Sequence, residues 1–116
     1  MEKIITHNYE SLSSYGCEDF VFSGIDKNGN TIIGSWMDEN YDERYIEHIY
    51  SVVTPLLLES FKAKEITYLE VLKLAKAISI VRSNYEDKII KMKPVTLDKI
   101  PSDFMPTKDS YLVTDY

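Results

Sequence analysis

The sequence predicts an α+β fold: a mostly antiparallel sheet of about five strands, in the order ββ-β-αα-ββ, with a helix pair on one face and an irregular C-terminal tail. Three observations predict it. Asn28-Gly29 stands between two runs rich in β-branched and aromatic residues, which is a hairpin signature. Thr54-Pro55 and Thr67-Tyr68-Leu69-Glu70 are helix-start signatures, a capped proline entry and a capping box. The stretch 77–93 then repeats a strand, turn and strand pattern around Ser83-Asn84-Tyr85-Glu86-Asp87.

Taken in chain order, residues 20–25 and 31–37 are expected to pair across the Asn28-Gly29 turn, where both positions must tolerate positive φ. Gly24 and Gly34 inside these strands call for close packing of backbone or of a large ring, with Phe22 and Trp36 as the candidate rings. Residues 38–44 read as an acidic loop. Residues 45–50 read as a third strand, although Tyr45, Ile46, Ile49 and Tyr50 also fit helical spacing. A helix from Pro55 to about Lys64 would bury Leu57, Leu58 and Phe61. A second, from Tyr68, repeats apolar residues at Tyr68, Val71, Leu72 and Ala75, a single face turned toward the sheet. Thr96 is placed to cap one turn over 97–100, after which Pro101 and Pro106 forbid regular structure. Phe104, Met105, Tyr111 and Leu112 are the tail residues suited to fold back on the core. The whole chain, 1–116, reads as one domain, with about 1–18 and 107–116 loosely structured.

With 116 residues, 44% hydrophobic and 28% charged, the chain has the composition of a folded domain and not of a disordered one. No apolar run approaches the roughly 20 residues that cross a bilayer. The start, Met1-Glu2-Lys3-Ile4-Ile5-Thr6-His7, has no basic segment leading into an apolar stretch, and Cys17 is the single cysteine. Both favour a cytoplasmic, reducing setting. A net charge of −6 argues against direct nucleic-acid binding, which draws on lysine and arginine. The nearest thing to a basic patch, Lys88, Lys91 and Lys93 with Arg82, reads as the solvated face of a hairpin.

Chemistry-bearing residues are sparse. His7, Cys17 and His48 lie far apart, with no His-x-x-x-His or Cys-x-x-Cys spacing to place two metal ligands on one face, so neither a metal nor a cofactor is expected. Nothing flanks Cys17 to activate its thiol for attack with His48, and it reads as a small buried hydrophobe. Ser11, Ser13 and Ser14 lack a Gly-x-Ser-x-Gly elbow, and Gly29 belongs to a turn, not to a phosphate-cradling loop. The expectation is therefore a protein that is not an enzyme. The densest acidic stretch, Asp38, Glu39, Asp42, Glu43 and Glu47, carries Tyr41 and Tyr45. It reads either as a solvated connection or as a protein-binding edge, with carboxylates steering a basic partner and tyrosines as anchors. As a calcium loop it lacks the glycine and terminal glutamate of an EF-hand. Nine tyrosines strengthen the recognition reading, because the ring buries area at low entropic cost.

Several stretches, Phe20-Val21-Phe22, Asn28-Gly29-Asn30, Trp36-Met37-Asp38-Glu39, Ile66-Thr67-Tyr68-Leu69-Glu70 and Ile100-Pro101-Ser102-Asp103-Phe104-Met105-Pro106, together with the strand into Ser51, make the chain resemble a family of small, uncharacterised bacterial and phage proteins. The resemblance spans most of the chain and departs at Tyr41-Asp42-Glu43-Arg44, longer than the simple turn of that family. It implies a fold plan and a microbial or phage setting, and carries over no catalytic residue. The leading functional expectation is a non-enzymatic protein-interaction module, of inhibitor or immunity type. It would bind a larger, basic protein through Asp38, Glu39, Tyr41, Asp42, Glu43 and Tyr45. The alternative is a small-ligand sensor with a pocket between sheet and helices lined by Trp36, Tyr45 and Tyr68. An exposed sheet edge would also allow a homodimer.

Overall fold

A computed structural model describes residues 3–15 and 18–113. Among these residues six strands form one antiparallel sheet whose spatial order follows the chain: β1 (His7–Tyr15), β2 (Glu18–Ile25), β3 (Thr31–Asn40), β4 (Tyr45–Val53), β5 (Ala77–Ser83) and β6 (Ile89–Val95). Helices α1 (Pro55–Lys62) and α2 (Tyr68–Leu74) are inserted between β4 and β5. The α+β class and the helix pair stand as the sequence predicts, but the sheet has six strands, because His7–Tyr15 pairs along β2 instead of lying loose. Among the described residues, no helix is long and apolar enough to cross a membrane.

Both even hairpin loops use one local chemistry. In the β2–β3 loop, Asp26 Oδ1 accepts the N–H groups of Asn28 and Asn30, each at 2.9 Å, and Gly29 takes φ +84°. In the β5–β6 loop, Asn84 Oδ1 accepts from Glu86 at 2.9 Å and Lys88 at 3.0 Å, and Asp87 takes φ +63°. The loop around Asn28-Gly29 is thus longer than a two-residue turn. Its left-handed position is Gly29, while Asn28 keeps negative φ. Burial pushes the Asp26 carboxyl up, but the hydrogen bonds from Asn30 and Asn28 outweigh it and leave the group below its ordinary value.

Pairing register sorts the side chains between the two faces. Ser23, Ile33, Ser51, Ile78 and Val95 form one row across β2 to β6. On this face Ile33, Ile49 and Ile78 pack with Phe61, Tyr68, Val71 and Leu72 of the helices into the main core. The opposite row runs Ser11, Phe22, Gly34, Tyr50, Ser79 and Pro94. There Phe22 stacks on Tyr9 with ring centroids 5.3 Å apart and meets His48 and Tyr50 edge-on at 5.4 and 5.7 Å. Gly34 lies beneath the Phe22 ring, as expected for one of the two candidate rings; Gly24 instead lies against Ile5 of the N-terminal segment.

Helix entry follows the sequence signals. Thr54 Oγ1 accepts from Leu57 N at 3.1 Å, with Pro55 opening α1. At α2, Thr67 Oγ1 accepts from Glu70 N and Glu70 Oε1 accepts from Thr67 N, both at 3.1 Å. The two N–H groups this box leaves over are taken by the tail: Tyr68 N donates to Ser110 O at 2.7 Å and Leu69 N to Ser110 Oγ at 3.2 Å. Every orphan donor of that helix end is therefore satisfied. Beyond two short 3₁₀ turns, Leu97–Lys99 and Ser102–Phe104, the described tail is a strap pinned at Ser110, with Leu112 in the core.

Candidate functional site

In a meander, alternate turns emerge at the same end of the sheet. The β3–β4 and β5–β6 turns therefore sit together at one tip. Asp38, Glu39 and Asn40 are not in a loop: β3 continues through a bulge at Met37 to pair Asp38 with Glu47 and Glu39 with Ile46. The turn proper is residues 41–44, closed by Asn40 Oδ1 accepting from Glu43 N at 2.9 Å, with Arg44 at φ +61°. Asp38, Asp42 and Glu43 are exposed, and Tyr41 is 78% exposed. Tyr45 is half-buried at the base of the turn, opposite Asn40: the Arg82 guanidinium lies 3.9 Å over its ring, and Arg82 also pairs with Glu47 at 3.5 Å.

Across the tip stands Tyr85 of the β5–β6 turn, with Arg44 5.6 Å from its ring centroid and a hydrogen bond to Glu39. Burial and the Glu39 carboxylate hold the Tyr85 phenol above its ordinary value, with Arg44 opposing. Glu86 and Asp87 extend the acidic surface on that side. The predicted residues Asp38, Glu39, Tyr41, Asp42 and Glu43 are thus brought onto one tip, while Tyr45 is a support beneath it. Tyr85 and Arg44 escaped the sequence reading. The signal that would have found them is topological: once β4 and β5 are neighbours, their outer turns share an end.

A second feature lies on the helix-covered face. A cavity of about 540 Å³ opens between β1 to β4, the two helices and the C-terminal strap. Trp36 and Tyr68 line it; Tyr45, the third residue predicted for such a pocket, does not. Its polar centre is a buried pair of hydroxyls, Ser35 Oγ and Tyr68 OH, 2.6 Å apart. Burial pushes the Tyr68 phenol up to about 12, with the Ser35 hydrogen bond pulling the other way, so the pair is neutral at ordinary pH. Ser110 Oγ also faces the cavity, but it is engaged, donating to Thr107 O at 2.6 Å and accepting from Leu69 N.

The remaining chemistry-bearing residues do not converge. Thr6 Oγ1 and His7 Nδ1 are hydrogen-bonded at 2.8 Å near the start of β1. His48 sits in the aromatic layer, where burial lowers its pKa to about 4 and leaves Nδ1 without a partner. Cys17 lies outside the described residues. Among the described residues, no group of three or more His, Cys, Asp and Glu is placed to hold a metal ion. Lys91 and Lys93 are exposed on edge strand β6 beside Pro94, which withholds a ladder donor, while Lys88 pairs with Glu86 at 3.6 Å and Arg82 with Glu47. Comparisons with protein-family models, curated proteins and solved structures gave no match.

Proposed function

We propose that this chain is a non-enzymatic protein-interaction module of bacterial or phage origin, of inhibitor or immunity type, whose binding surface is the acidic tip of the sheet. The observation that supports this most directly is the convergence of two turns. Tyr41 and Tyr85 stand exposed among Asp38, Asp42, Glu43 and Glu86 on neighbouring hairpins. Tyrosine anchors set among a majority of carboxylates suit a larger, basic partner, with the carboxylates steering encounter and the rings supplying buried area.

The test is capture of partners from a bacterial lysate by the tagged chain and by a variant reversing Asp38, Glu39, Asp42 and Glu43 to lysine, with circular dichroism on both. A basic partner held by the wild type, weakened by salt and lost in the folded variant, is the expected result. The same partners retained by that variant would sink the proposal.

A second reading, a small-ligand binding domain, is favoured by the cavity under the strap. Its volume falls within the range of roughly 300–1,000 Å³ typical of ligand sites. A thermal-shift panel of metabolites separates the two readings, since a ligand bound only by the folded chain raises its apparent stability.

A further inference from the structure

The cavity under the strap is chemically one-sided. Met37, Phe61, Phe104 and Tyr111 supply aromatic and thioether wall, and Phe20 and Trp36 line its margin, their rings 6.0 Å apart. Among the described lining residues there is no Lys, Arg or His, and the one carboxylate among them, Asp103, lies exposed on the strap. Inside, the Ser35 and Tyr68 hydroxyls share one hydrogen bond, and two hydroxyls joined in that way keep one O–H to donate and lone pairs to accept.

We propose that this cavity binds an uncharged, largely apolar ring compound carrying one hydroxyl or carbonyl group, which bonds to the Ser35–Tyr68 pair, and that it rejects carboxylates, phosphates and nucleotides. This rests on the second reading above and narrows it. Burial of an anion there would strip its hydration with no cation to replace it, and the Asp103 carboxylate adds repulsion at the strap. A neutral ring compound meets neither cost. Its apolar surface replaces water against the aromatic walls, and its one polar group finds a partner already buried and neutral.

Trp36 is the only tryptophan in the chain and lines the cavity, so its indole N–H gives a single reporter resonance. The experiment titrates the full, ¹⁵N-labelled chain with three probes of one ring size: 2-naphthylmethanol, 2-naphthoate and naphthalene. The alcohol is expected to move the indole resonance saturably, with 2-naphthoate weaker by about tenfold or more. Tyr68→Phe should weaken the alcohol by about fivefold and leave naphthalene unchanged, the effect of one hydrogen bond. If 2-naphthoate binds as tightly as the alcohol, the charge selectivity is wrong while the ligand-binding reading survives. If Tyr68→Phe, folded by its spectrum, weakens all probes equally or none, the role of the hydroxyl pair is wrong. If no probe gives a saturable shift on the wild-type chain, the inference and the second reading both fall.

Discussion

Gly34→Ala tests the aromatic layer on the sheet face away from the helices. A methyl group built at Gly34 would stand 2.5 Å from Phe22 Cε2, 2.6 Å from Phe22 Cζ and 3.0 Å from Tyr50 Cε1. Carbon atoms pack at roughly 3.5–4.0 Å, so the Phe22 ring must retreat by about 1 Å. It has little room: it is 4% exposed and held by Tyr9, His48 and Tyr50, whose centroids lie 5.3, 5.4 and 5.7 Å away. Such overpacking costs about 1–3 kcal/mol, against roughly 0.5–1 kcal/mol that alanine recovers over glycine in a strand. The net expectation is a loss of about 1–2 kcal/mol, read in urea denaturation as a lower midpoint at constant slope, and a fall in Tm of roughly 5–10 °C. Gly24→Ala probes a second tight site: its added methyl would overlap Ile5 Cγ2, on a β-branched side chain stiff at χ1, and stand 3.1 Å from the His7 carbonyl oxygen, so it too should destabilise. Phe22→Leu should recover part of the Gly34→Ala loss in the double variant, because the two sites are in contact. A Gly34→Ala protein within about 0.5 kcal/mol of wild type would refute the claim that this ring layer is tightly packed.

Burial holds His48 neutral, lowering its pKa from 6.5 to about 4. The unfolded chain therefore takes up a proton that the folded chain declines. The resulting stability is present above about pH 6.5 and is lost as pH falls toward about 4, by as much as about 3 kcal/mol. Urea midpoints between pH 7.5 and 4.5 measure this limb, and His48→Phe should flatten it; an unchanged slope would show the ring to be solvated. Ser110→Ala removes the hydroxyl acceptor of Leu69 N–H and should cost about 1 kcal/mol, with faster amide exchange at Leu69 and Leu112 as the local signature. Asp87 occupies a left-handed position, as Gly29 does in the matching loop, so Asp87→Gly should be neutral or stabilise slightly, whereas Asn84→Ala should cost about 1 kcal/mol through two lost acceptor contacts. Chemical denaturation of both variants distinguishes the two effects.

Local chemistry made much of the fold legible. Thr54-Pro55, the Thr67/Glu70 box and the Asn28-Gly29 loop each satisfy backbone groups within a few residues, and each stands where the sequence places it. Strand β1 was not legible because its stabilisation is almost wholly non-local. Its sequence, His-Asn-Tyr-Glu-Ser-Leu-Ser-Ser-Tyr, is polar, Asn8 takes φ +54°, and its register on β2 shifts three times. Of the side chains described there, Leu12 reaches the core, and Glu10 is tied to Lys62 of α1 at 2.9 Å. The acidic residues 38–40 misread for a related reason. Asp, Glu and Asn disfavour strands, but pairing with β4 beyond the Met37 bulge overrides that preference.

The strap exposes a deeper limit. Leu112 was visible as an apolar tail residue suited to the core, but the contact that seats the strap is a backbone carbonyl, Ser110 O, accepting from Tyr68 N, and any residue at 110 would carry that group. What makes the contact necessary is on the other partner: the capping box satisfies the third N–H of α2 and leaves the first two open. A buried helix start of this kind requires acceptors from elsewhere in the chain, and the tail is the element that reaches it. The same docking carries Phe104, Met105 and Tyr111 over the sheet and so creates the cavity beside Trp36 and Tyr68. The cavity is therefore a consequence of completing α2. Loosening Ser110 should enlarge or open it before it unfolds the sheet, because the strap supplies no strand to the sheet ladder.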